Sequence, residues 1–527
     1  MNLSKRWYYA AWLAAIGGIA LLHAVNLCAD FPNHTPWFSD WAKYTDEGWY
    51  GNAAVRAHLF GKWYLPGDFN PAVAVPVWPF LEWVLFFFTG VTIQAARGLA
   101  VGFFFANLLL CYMLLRARGT RWMAMLALTF LVTSPFLYCF SRLAILEPML
   151  IAFTLASLNL AVRLPRLRRP LLAATAIGLL FTLMLLTKTT AVFLLPALGW
   201  AMLLPLWNNK KLFFRYALVA AGTAALTFGS WMALVAHLGL MPDYRYLFFV
   251  NKYVKPPEFY WPLLSLWWSF HGGLWVDHIL IPLAGLVFLG TLICGTVLIK
   301  STPRGRALLL DPVFGSSVLA VAGYILFMTY QNHPQPRYFA VVALFSFLVA
   351  AQGAEALLTG AGWVRRTGWA VLAISLVAVV SNAVTTANYA AHPEYTFVDA
   401  ARHLTQYIDA HPNGNRLLVS ISGDQITMVT HLPSLCDDFG TQELVAKLTA
   451  YQPGWYATWN DLDPGTLEDL HNLYSLEQVA VFRAFDDPER NRLVLFKLHP
   501  LPPGTVRLAG PALQVPLPGD KFDIPIE

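Results

Sequence analysis

The chain has 527 residues, of which 57% are hydrophobic and 13% charged, with a formal net charge of +6. Soluble domains carry about a quarter of their residues as charges, so this composition excludes a water-soluble protein and points to one solvated by lipid. The positive balance sits in short inter-helix loops, which excludes a nucleic-acid groove. The five cysteines are scattered and odd in number, which excludes a disulfide framework or a zinc spacing, although Cys28 and Cys139 are both placed near one outer face and could pair.

A membrane span needs about 20 mostly apolar residues. Segments 7–28, 93–115, 121–140, 146–162, 170–187, 190–206, 213–238, 277–299, 312–330, 338–358 and 367–388 meet that requirement, which predicts about eleven transmembrane helices. The segment 76–90 is also apolar. It is short, contains Glu82 and has Pro76 and Pro79 near its start, so it reads as a helix lying on the membrane rather than crossing it.

Charge supports that threading. With 76–90 outside, Lys5/Arg6, Arg116/Arg118/Arg121, Arg163/Arg166/Arg168/Arg169, Lys210/Lys211/Arg215, Lys300/Arg304/Arg306 and Arg365/Arg366 all fall on one side, as the positive-inside rule demands. The N-terminus is then inside. A first outer loop covers 29–92, a second covers 240–276, and the chain from about 389 onward is also outside. Residues 1–28 also fit a cleaved signal peptide, but no A-x-A site follows, so a retained helix is expected.

Beyond residue 390 polar residues return. Residues 397–409 and 442–451 read as helices, and 416–421, 478–484 and 492–498 as strands. The expected organisation is a transmembrane domain over 1–390 and a small α/β outer domain over 391–527 that ends in a Pro-rich tail from 499. The motif SGDQ at 422–425 is too short to signal a nucleotide loop.

Charges at the outer ends of spans are the informative residues. An intramembrane charge costs roughly 2.5–3.5 kcal/mol on insertion scales and is a functional candidate by default. Arg97, Arg142 in SRLAILEP, Lys188 in LLTKTT and Arg337 in HPQPRY occupy the side that the positive-inside rule leaves poor in cations. Gathered in one cavity, they would suit a lipid phosphate, with Arg contacting it in bidentate fashion and Lys as a point charge. Singly, each could snorkel to headgroups or pair locally. Asp46 and Glu47 open a helical stretch over 48–61, where acids commonly serve the helix dipole. Glu147 follows Arg142 by five residues and is the expected ion-pair partner of that arginine.

The ordered set Asp46-Glu47-Gly48-Trp49-Tyr50, Gly61-Lys62-Trp63-Tyr64-Leu65-Pro66, Ala95-Ala96-Arg97, Ser141-Arg142 with an acid at 147, Thr187-Lys188 and Pro336-Arg337-Tyr338 resembles the GT-C glycosyltransferases. Within them it is most similar to bacterial relatives of protein O-mannosyltransferases and of the lipid A aminoarabinose transferase. The resemblance covers about the first 360 residues and includes the surface helix after the first loop.

It implies a GT-C-like all-α polytopic membrane fold and a glycosyltransferase of the inner membrane with its site facing away from the cytoplasm. Hexosyl or pentosyl transfer from a polyprenyl-phosphate carrier to a lipid, glycan or protein acceptor would follow, with inversion at the anomeric carbon. Asp46 would be the general base and Glu47 its support. Lys62, Arg97, Arg142, Lys188, Arg337 and Tyr338 would hold the carrier phosphate, with Glu147, His333 and Tyr50 as further candidates. Relatives often carry Asp where this chain has Glu147, which leaves the role of that acid open. No metal or other cofactor is required for a monophosphate leaving group held by cations.

Two alternatives use the same residues differently. A flippase or transporter would bind the lipid phosphate only to move it. A metal-dependent oligosaccharide transferase would use a diphosphate donor and a divalent ion on Asp46 and Glu147. A sensor acting through its outer domain would leave the outer cations unexplained.

Overall fold

The computed structural model describes residues 3–33, 35–37, 39–250, 262–296, 303–331, 335–487 and 490–502. The chain forms two compact units. One comprises Met1–Asn26, Arg97–Leu238 and Tyr253–His392; the other comprises Leu27–Ala96, Gly239–Lys252 and Pro393–Glu527.

The first unit is helical. Among the described residues, eight helices are long and apolar enough to cross a membrane, and the bent pair Arg121–Thr133 and Pro135–Arg142 makes a ninth. The remaining two predicted spans coincide with shorter apolar helices, Trp7–Leu22 and Leu280–Cys294, so a helix underlies each of the eleven predicted segments. The chain is a multi-pass membrane protein. Its bend of 68° has a local cause. Pro135 lacks the N–H that would continue the ladder, and the Ser134 side chain accepts from Leu137 N at 3.2 Å, starting a new helix.

Position in the bundle follows from side-chain composition. Phe339–Leu358 is apolar on all sides and buried continuously from Phe339 to Ala354, as a central helix should be. Lys210–His237 buries only Tyr216, Ala220 and Val235 and leaves Leu218 and Leu226 exposed, as a helix facing lipid should. Buried hydroxyls bond within their own helices. Thr154 donates to Leu150 O and Ser157 to Phe153 O, both at 2.8 Å, so neither leaves an orphan polar group in an apolar interior.

The second unit is built on a mixed sheet of five strands: β1 (Leu418–Val419), β2 (Ser434–Leu435), β3 (Trp455–Trp459), β4 (Tyr474–Arg483) and β5 (Arg492–Pro500). Their order is β2-β1-β3-β5-β4. β1 runs parallel to β2 and β3, while β5 is antiparallel to β3 and β4.

Alternation along the strands divides the core in two. Trp455, Ala457 and Trp459 face the helix Thr396–Ala410 through Phe397, Leu404 and Ile408. Tyr456, Val494 and Phe496 face Leu444, Leu448 and Leu470 on the helices Leu444–Tyr451 and Pro464–His471.

The first outer loop is part of this core. Tyr44 is fully buried in the same cluster as Phe397 and Trp459, and its hydroxyl donates to Asp487. Asp30 accepts from Phe397 N at 3.0 Å and from the Thr396 hydroxyl at 2.7 Å, capping the helix Thr396–Ala410 from a distant part of the chain. Residues 27–96, counted with the spans on sequence grounds, therefore pack with the C-terminal domain.

The surface helix Val77–Thr89 has the expected two faces. Trp78, Pro79, Glu82 and Phe86 are buried, while Phe80, Trp83, Val84, Phe87 and Phe88 present an exposed apolar stripe. A stripe of aromatic residues suits the membrane interface.

Candidate functional site

In the helical unit, three helix ends bring four of the predicted residues together. Glu147 is the first residue of the helix Glu147–Arg163, Lys188 terminates the helix Pro170–Thr187, and Arg337 and Tyr338 lie in the short turn Pro336–Tyr338 before the central helix. All four are buried. The Lys188 ammonium pairs with Glu147 Oε1 and lies 4.3 Å from the centroid of the Tyr338 ring. The Arg337 guanidinium lies over the same ring at 5.0 Å.

An aromatic face between two cations attracts both through its quadrupole, so Tyr338 offsets part of their mutual repulsion. Tyr324 is fully buried and its hydroxyl bonds that of Thr190 at 3.0 Å, two residues after Lys188. The result is a buried group of one carboxylate, two cations and two phenols. The same unit also holds an apolar cavity of about 340 Å³ lined by Trp267, Ile281, Phe288, Val318, Ile325 and Val349.

Glu147 therefore pairs with Lys188 and not with Arg142, as the five-residue spacing suggested. Arg142 donates through Nη2 to the carbonyls of Val25 and Asn26, both at 2.7 Å, and through Nη1 to the Tyr138 hydroxyl. Those bonds tie the end of the bent helix pair to the end of the first helix. Arg97 is buried in the second turn of the helix Ile93–Arg116. His333 lies outside the described residues. All five cysteines, Cys28 and Cys139 included, are free thiols, so the considered pairing is absent.

In the second unit, Asp46 and Glu47 begin the helix Asp46–Phe60 and are both buried. The Thr45 hydroxyl donates to Asp46 Oδ1 at 3.3 Å. Glu47 Oε2 accepts from Gln425 Nε2 at 3.2 Å. Tyr50 is half-buried on the same helix, and Lys62, just past the C-terminal Gly61, is exposed.

Two other elements hold this helix. On one side the surface helix presses Glu82 against it, with Oε2 only 2.2 Å from where a Cβ on Gly51 would stand. Burial pushes the Glu82 carboxyl well above the usual carboxylate range; the Trp78 indole opposes the shift and the charge of Glu47 adds to it.

On the other side stands the helix Gly423–Thr430 of the C-terminal domain. Arg56 Nη2 lies 2.6 Å from Asp68 Oδ2 and 3.0 Å from Asp424 Oδ1, while Asn52 Nδ2 donates to Asp424 Oδ2 at 2.9 Å. Lys447 pairs with the far side of Asp68 at 3.5 Å. Buried ions are tolerated only when paired and hydrogen-bonded in this way. None of Arg56, Asp68, Asp424 or Gln425 was marked by the sequence, because charge in an outer, water-accessible segment breaks no rule.

Among the described residues, no group of three or more His, Cys, Asp or Glu side chains is arranged to hold a metal ion. Asp46 and Glu147, the pair a diphosphate-dependent mechanism would load with metal, belong to separate units.

Solved structures share this architecture. ArnT from Cupriavidus metallidurans bound to undecaprenyl phosphate superposes with a TM-score of 0.60 at 13% identity, covering 93% of this chain and 98% of that one. The chain has a GT-C fold. The archaeal oligosaccharyltransferase AglB from Archaeoglobus fulgidus, in complex with an inhibitory peptide and a dolichol-phosphate, superposes with a TM-score of 0.53 at 12% identity over 87% of this chain and 70% of that one. No family model matches the sequence, and no curated protein matches it. At these identities the likeness establishes the fold of this chain and leaves its substrate to chemistry.

Proposed function

We propose that this GT-C protein is an inverting glycosyltransferase that moves a sugar from a polyprenyl-phosphate carrier to an acceptor on the extracytoplasmic face of the inner membrane. The observation that carries the reading is the buried pair of cations on Tyr338. Lys188 and Arg337 are buried cations within reach of one ring, a grouping that suits an arriving phosphate, with Arg giving a bidentate contact and Lys a point charge. The similar structures hold undecaprenyl phosphate and dolichol-phosphate, which supports that class of ligand. The apolar cavity in the helical unit has a lining suited to an isoprenoid tail.

In the transfer, the acceptor oxygen attacks the anomeric carbon as its bond to the phosphate oxygen breaks, through an oxocarbenium-like state. The electron pair leaves with the phosphate, and Lys188 and Arg337 stabilise the growing charge at low dielectric. Asp46 takes the proton of the acceptor hydroxyl, a contribution of typically ~10²–10⁴-fold.

Arg97 and Lys62 are further candidates for the phosphate. Arg142 is left out because its Nη groups are committed to Val25, Asn26 and Tyr138. The acceptor is a lipid, a glycan or a protein hydroxyl.

The test uses full-length protein in liposomes with synthetic undecaprenyl-phosphate hexoses and pentoses and an envelope extract as acceptor source. Release of undecaprenyl phosphate, read by mass spectrometry, should require Asp46. A protein that moves labelled carrier lipid across the bilayer without releasing sugar, unaffected by Asp46→Asn, would instead be a flippase.

A further inference from the structure

The helix that begins with Asp46 and Glu47 is gripped along one face by a single segment of the C-terminal domain. Ile421 O accepts from Trp49 Nε1 at 3.2 Å. Asp424 receives Asn52 at 2.9 Å and Arg56 at 3.0 Å. Gln425 Nε2 donates to Lys43 O at 2.9 Å and to Glu47 Oε2 at 3.2 Å. The Lys43 carbonyl can only accept, so the amide orientation of Gln425 is fixed by chemistry.

The contact is also as close as two backbones allow. A Cβ on Gly48 would stand 2.2 Å from Gln425 N and 2.4 Å from Asp424 C. Gln425 itself is 1% exposed, so water cannot substitute for its amide.

We propose that Gln425 is a positioning residue for the transfer reaction, fixing the first turn of the helix that carries Asp46, so that the C-terminal domain is part of the active enzyme. This rests on Asp46 being the base. The physical argument is that one buried amide bonds both the backbone entering that turn, at Lys43 O, and the side chain next to Asp46, at Glu47 Oε2. Without it the turn is free to shift, and a misplacement of about 1 Å at a reacting group costs about 10²-fold in rate.

The experiment compares full-length Gln425→Leu, Gln425→Glu and Asp46→Asn proteins in liposomes. The readouts are kcat and donor KM separately, from undecaprenyl-phosphate release, and binding of undecaprenyl phosphate. Gln425→Leu is expected to lower kcat at least about tenfold and leave donor KM and binding within about twofold. Gln425→Glu keeps the shape and removes the donating amide; it is expected to lower kcat by about as much. If both variants keep the kcat of the wild type while Asp46→Asn is inactive, the positioning role is wrong and the base assignment stands. A loss that falls equally on kcat and on donor binding overturns it equally. An active Asp46→Asn would remove the base assignment itself, a separate failure.

Discussion

Replacing Gly48 by Ala tests the docking of the Asp46 helix in the most local way. In an unconstrained helix interior, Gly→Ala gains about 0.5–1 kcal/mol. Here the new methyl would stand 2.2 Å from Gln425 N, and the obstructing atoms are backbone, which cannot rotate aside. The two segments would have to part by about 1.2 Å to reach an ordinary van der Waals distance. Hydrogen bonds now at 2.9–3.2 Å, from Asn52, Arg56, Trp49 and Gln425, would then pass beyond useful length. Bonds to charged groups are worth about 1.5–3 kcal/mol each. Three of these four involve a carboxylate, so a net loss of about 3–5 kcal/mol is expected after the helical gain.

In a unit of this size that corresponds to a fall of about 10 °C in its melting temperature. The assay is thermal unfolding in detergent followed by tryptophan fluorescence, with limited proteolysis of the C-terminal domain alongside. Gly51→Ala is the matched control. Its methyl would meet Glu82 Oε2 at 2.2 Å and Met428 Cε at 3.1 Å, both far ends of side chains that can turn away. If Gly48→Ala melts within about 2 °C of wild type, or no lower than Gly51→Ala, the backbone approach is not what holds the helix.

Three further outcomes follow from the same geometry. Lys188→Met leaves the buried Glu147 unpaired and should cost about 3–5 kcal/mol, whereas Glu147→Gln with Lys188→Met should recover most of it in the same melt. Asp46→Asn should lower turnover at least about 100-fold while leaving undecaprenyl-phosphate binding unchanged, measured in liposomes. Burial pushes the Asp437 carboxyl up from 3.8 to about 6, so the folded form holds that proton more tightly than the unfolded chain does. Its stabilising contribution is therefore full below pH 3.8 and is lost as pH rises through about 6; melting temperature should fall over that window, and Asp437→Asn, which keeps a partner for Tyr456, should flatten the fall.

The spans were legible because twenty apolar residues in a row have few alternatives, and the surface helix because Glu82 and two prolines interrupt such a run. Strands β4 and β5 were legible by their alternation. β1 was legible as the apolar run within 416–421, whereas β2, two residues long, is too short to show any period, and β3 and the helices Gly423–Thr430 and Pro464–His471 escaped as well.

The site divided along the same physical line. Lys188 and Arg337 stood out because a cation at the end of a span is costly, and the two do meet on one ring, that of Tyr338. Glu147 was assigned the wrong partner because proximity along the chain is a poor guide when a helix end 41 residues away supplies the cation. Arg56, Asp424 and Gln425 lie in segments where charge is ordinary, and their pairing joins residues more than 360 apart. The grouping of the first loop with the C-terminal domain was invisible for that reason.

The most direct measurement of the central claim is the affinity of the purified full-length protein for undecaprenyl phosphate, compared with Arg337→Gln. The account predicts saturable binding that Arg337→Gln weakens at least about tenfold, the worth of one charge-assisted contact to phosphate. Equal binding by the two proteins, or none by either, would contradict it.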